Sequence, residues 1–94
     1  MRELEALRAE LDTVDRELVR LFERRMHLSR EVAACKLDKG LPVLDRSREE
    51  QVLSSRAAML DNPAWAQDVR SLWETLMASS RAEQEKYIRE VKCK

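Results

Sequence analysis

A chain of 94 residues, 38% of them charged, makes one domain and sits close to the size at which a single hydrophobic core becomes marginal without a staple or a second chain. Its 18 basic and 18 acidic residues cancel to a formal net charge of +0, which excludes a global field drawing it onto nucleic acid or an anionic membrane; any anion must be held by a local cluster. The apolar residues are mostly Leu, Val, Ala and Met, with one Gly and two Pro, the profile of a helical bundle with little from which to build strands.

From Leu4 to Cys35 apolar residues recur at steps of three and four: Leu4, Leu7, Leu11, Val14, Leu18, Leu21, Leu28, Val32 and Cys35. No Pro or Gly intervenes before Gly40, so the spacing predicts helix one over about 3–38. At ~1.5 Å per residue this is a rod of roughly 50 Å, whereas a compact domain of about 100 residues has a radius of gyration of only ~13 Å. Such a rod overhangs anything the rest of the chain can build on it, and a second copy would cover the overhang. Where the seam is due a leucine stands Arg25. A guanidinium keeps its charge, so on a buried stripe it must reach solvent or meet an anion. The N-terminal stretch MRELEALRAEL is amphipathic with no h-region, and no apolar run approaches the ~18 residues of a membrane span. The expectation is a soluble, cytoplasmic protein.

Residues 39–44, which hold the one Gly and Pro42, predict an apolar loop that packs down as a lid or wall. Helix two follows over about 46–60, capped by Asp45 or by Ser47 in a capping box with Glu50, and its inner stripe reads Val52, Leu53, Arg56, Met59 and Leu60. The turn Asp61-Asn62-Pro63 puts Pro at a first helical position and opens helix three over about 63–91. Its face runs Trp65, Val69, Leu72, Trp73, Leu76 and Met77, then Ser80 and Gln84, then Tyr87, Ile88 and Val91; Lys92 to Lys94 are expected to fray. Cys35 and Cys93 lack metal-ligand spacing and read as free thiols in a reducing compartment. The whole of 1–94 is read as one domain.

Each helix interrupts its own apolar pattern. Lys36 lies eleven residues after Arg25, which at ~100° per residue returns to within about 20° of the same direction, so the two cations share a face. A lysine at a helix end also suits the macrodipole, and Asp45, Arg48 and Glu49 could be no more than a cap and a surface ion pair. Glu49, however, sits one turn before the buried Val52 and Leu53, which favours an inward carboxylate. Ser80 and Gln84, four apart, are either packing and solvated residues or a pair of neutral donors in the seam. Arg8 lies about 25 Å along the helix from Arg25 and cannot grip the same small ligand from one straight helix; an antiparallel second copy could deliver it. The lone His27 is on the polar side, which leaves little for a metal site or a His-based nucleophile.

Arg8, Arg25, Lys36, Asp45, Arg48, Glu49, Ser80 and Gln84, carried by the segments LRAELDTVDRELVRLFERR, CKLDKGLPVLDRSREE and SSRAEQ, resemble the all-helical class of chorismate mutases over nearly the whole chain. The resemblance implies an all-α chain of three helices that forms an intertwined homodimer with two sites. It also implies the conversion of chorismate to prephenate, on the shikimate-pathway route to phenylalanine and tyrosine, with no cofactor, metal or covalent intermediate. By resemblance, Arg25 and the Arg8 of a second copy bind two carboxylates, with Arg48 bordering the pocket. Lys36 and Gln84 bond the ether oxygen, Glu49 accepts from the ring hydroxyl, and Asp45 and Ser80 support substrate placement. Arg81 departs from the pattern by putting charge where several relatives are apolar. Two rivals remain: an isochorismate pyruvate-lyase-like enzyme, and a non-enzymatic helical dimerisation module with Arg25 setting the register.

Overall fold

The computed structural model describes residues 1–93; Lys94, part of the tail expected to fray, lies outside the described residues. Among them the chain is all-helical, with α1 at Leu4–Lys39, α2 at Arg46–Ala58, a 3-10 turn at Pro63–Trp65 and α3 at Ala66–Lys92.

α1 stops at Gly40, whose φ of 68° is the left-handed conformation that an L side chain adopts only with strain. A Cβ there would meet nothing within 4 Å, so glycine serves the backbone and not the packing. The Leu41 N–H then donates to the Lys36 carbonyl at 2.8 Å, turning the loop back over the end of α1. Asp45 caps α2, its side chain accepting the Arg48 N–H at 3.0 Å; of the two candidate caps, Ser47 falls inside the helix. α2 ends at Ala58, two residues short of the expected Leu60, because Met59 and Leu60 donate to carbonyls three residues back in a tightened last turn. The expected start of helix three at Pro63 is a 3-10 turn capped by Asn62, which accepts the Ala64 N–H at 3.0 Å, and α-helical bonding begins at Ala66.

The molecule measures 57 × 28 × 14 Å. Its thickness is little more than one helix diameter of ~10–12 Å, so the three helices lie side by side in a single layer. α3 is the central element and packs on both α1 and α2. Such a layer cannot enclose much: the buried apolar residues are Ala33, Val52 and Met77, joined by the buried polar Ser29 and Gln84. Arg30 ties α1 to α3 through Glu83 at 2.9 Å and Glu90 at 3.0 Å, with its guanidinium 5.0 Å from the centre of the Tyr87 ring. These two carboxylates hold the Arg30 guanidinium above its ordinary pKa, Glu90 more than Glu83.

Residues 1–24 are all exposed, including Leu11 at 59% and Leu18 at 55%. The apolar stripe that defines α1 therefore has no partner within its own chain over most of its length. No described helix is long and apolar enough to cross a membrane.

Candidate active site

Between α1 and α2, with α3 as its floor, lies a cavity of about 320 Å³. α1 contributes Arg25, Leu28, Ser29, Val32 and Lys36; the loop and α2 contribute Val43, Asp45, Arg48, Glu49 and Val52; α3 contributes Met77, Ser80, Arg81 and Gln84. Seven of the eight residues singled out from the sequence thus surround one space. Arg8 does not: it is exposed near the far end of α1, with its Nη1 3.1 Å from Glu5 on the same helix.

Gln84 organises the polar floor. It is only 5% exposed, and its Oε1 accepts from Lys36 Nζ at 3.0 Å while its Nε2 donates to Ser80 Oγ at 3.0 Å. Lys36 also donates to the Val43 carbonyl at 2.6 Å, so the loop fixes the ammonium in place. Ser80 Oγ lies 2.7 Å from Ser29 Oγ, and Ser29 donates to the Arg25 carbonyl at 2.9 Å. Since Ser29 has one proton and directs it to that carbonyl, Ser80 is the donor between the two hydroxyls. The chain of donors then runs one way from Gln84 through Ser80 and Ser29 to α1, leaving one Gln84 N–H and one Lys36 N–H uncommitted among the bonds described. No buried side-chain nitrogen or oxygen among the described residues lacks a partner. The donors are held in place before any ligand arrives.

Arg25 is half-buried, and its pKa is lowered from the ordinary value by burial first, then by Arg56 and Arg48. Arg25 and Arg48 both line the cavity, and the like charge that Arg56 and Arg48 exert on Arg25 is one that an anion would relieve. Glu49 is held by Arg81 of α3, whose Nη1 reaches both carboxylate oxygens. In all, four cations face two carboxylates around the cavity, joined by the neutral Ser and Gln donors. Such a site suits a small ligand with two negative charges and hydrogen-bond acceptors between them.

Sequence reasoning missed Ser29 as a site residue and left Arg56 as one residue of a stripe. Ser29 had a signal, because it follows Arg25 by four residues and so shares its face. Arg56 and Arg81 had a weaker one, since their reach depends on how α2 lies against α1 and α3.

Residues 7–85 match the family described as chorismate mutase type II. The chain is 41% identical over 56 residues to the T-protein of Haemophilus influenzae and 46% identical over 50 residues to the 3-dehydroquinate dehydratase of Pyrobaculum aerophilum. Those stretches take in 60% and 53% of this chain but only 15% and 17% of the two relatives, so the chain matches less than a fifth of each. It is also similar to a solved structure, a conserved hypothetical protein from Pyrococcus furiosus, with a TM-score of 0.72, 30% identity, and coverage of 86% of this chain and 93% of that one. With the match reaching all three helices and every element that lines the cavity, the chain belongs to the chorismate mutase type II family.

Proposed function

We propose that this domain converts chorismate to prephenate by a pericyclic rearrangement, that it works as a homodimer, and that Arg8 of one copy completes the other copy's site. The observation that supports this most is the fixed pair Lys36 and Gln84 on the floor of a cationic cavity between α1, α2 and α3. Chorismate carries two carboxylates and an ether oxygen. In the rearrangement the ether C–O bond breaks as a C–C bond forms, and negative charge grows on that oxygen. A site accelerates this by holding the reactive conformer and by aiming donors that need no reorganisation at the developing charge.

Arg25 binds one substrate carboxylate and the second copy's Arg8 the other, with Arg48 at the rim. Lys36 and the remaining Gln84 N–H bond the ether oxygen. Glu49 accepts from the ring hydroxyl, and Asp45 and Ser80 support placement. No proton is transferred to or from the protein, so no metal, cofactor or nucleophile has a step to perform.

The test is to incubate the purified chain with chorismate and, separately, with isochorismate, and to identify the products. Prephenate from chorismate is the expected outcome. Salicylate plus pyruvate from isochorismate, with chorismate left untouched, would reassign the site to a lyase. A chain inert to both would leave a dimerisation module.

A further inference from the structure

Glu49 and Arg81 join α2 to α3 at the wall of the cavity. Arg81 Nη1 lies 2.5 Å from each Glu49 carboxylate oxygen, and the two side chains, Arg81 and Glu49, are 32% and 25% exposed. An uncompensated carboxylate in such a wall opposes any ligand of its own sign, and partial burial strengthens the opposition. The site nevertheless keeps Glu49 where a doubly negative ligand is to bind. A carboxylate has about four lone-pair positions; Arg81 engages both oxygens through one nitrogen and leaves acceptor capacity over.

We infer that Arg81 is a positioning residue, which pins the Glu49 carboxylate and offsets its charge so that an acceptor can stand beside a dianion. This role rests on the function proposed above. It differs from a simple tether between helices in one respect: it acts on ligand affinity, and only while Glu49 is charged.

Steady-state kinetics with chorismate test it on the wild type, Arg81→Leu, Glu49→Gln and the double variant, with circular dichroism to verify folding. Arg81→Leu is expected to raise KM roughly three- to tenfold, the effect of a partly screened charge, while changing kcat by less than about threefold. In the Glu49→Gln background the same substitution should move KM by less than about twofold, because the charge to be offset is gone. Should Arg81→Leu fail to fold, Arg81→Gln takes its place with the same expectations. An equal rise in KM in both backgrounds would mean that Arg81 acts on the ligand or on the fold directly, and no rise in either would mean that the pair is idle; each overturns the inference. A wild type active on chorismate with an unimpaired Arg81→Leu variant overturns this role alone, whereas an inactive wild type overturns the proposed function and this role together.

Discussion

Arg25 occupies a leucine position, and there Arg56 and Arg48 act on it with like charge. Burial and like charge hold its pKa below the ordinary value, so the charged form is disfavoured in the folded state relative to the unfolded one. That unfavourable contribution is full while the group is charged in both states, begins to fall as pH rises through the folded pKa and vanishes only above the unfolded one, and an arginine stays charged under ordinary assay conditions. An anion relieves it where pH cannot. Removing one preorganised donor typically costs ~2.7 to 4 kcal/mol of barrier stabilisation, so Lys36→Ala and Arg25→Ala should each cut turnover at least about a hundredfold while the helical circular dichroism persists. A near-normal rate in either variant contradicts the roles given to them. Gln84, proposed to bond the ether oxygen, has no proton to lose, and turnover should stay flat from mildly acidic to mildly alkaline pH; a steep loss near neutrality would point to another group in that place. The helical period by itself places Arg25, Lys36, Glu49, Ser80 and Gln84 on inward faces, since direction around a helix depends only on residue count. It does not pair them. That Glu49 meets Arg81 and that Ser29 bridges Arg25 to Ser80 depend on how the helices cross, a property of packing that no single helix encodes.

The ends of the elements decide how the site residues meet. Gly40 ends α1 in the left-handed conformation, sends the loop back, and brings the Val43 carbonyl onto Lys36. Gly40→Ala should lower unfolding stability by about 1 kcal/mol although nothing stands in the way of the new methyl group, because the strain lies in φ. A denaturant titration showing unchanged stability would mean that the turn relaxes to another conformation. Gly40 and Pro42 are legible as a helix stop, and Asp45 as one of two possible caps. The 3-10 turn at Pro63–Trp65 is not, because Pro suits the first turn of either helix type and the choice depends on the Asn62 cap and on contacts with α2 and α3.

A single layer 14 Å thick leaves residues 1–24 without cover and the Arg8 end of α1 remote from its own cavity. The radius of gyration is 16.9 Å, against ~13 Å for a compact domain of this length, and the excess is the rod that the leucine seam predicts. The proposed second copy along that seam would account for the exposed leucines and for Arg8 together. Arg8→Ala and Arg25→Ala damage opposite halves of such a shared site: a mixed dimer has one site lacking both arginines and one site intact. Co-expressed in equal amounts, the two inactive variants should form mixed dimers in about half of the population and recover about a quarter of wild-type turnover of chorismate to prephenate. A mixture as inactive as either variant alone would contradict a chorismate site built from two chains.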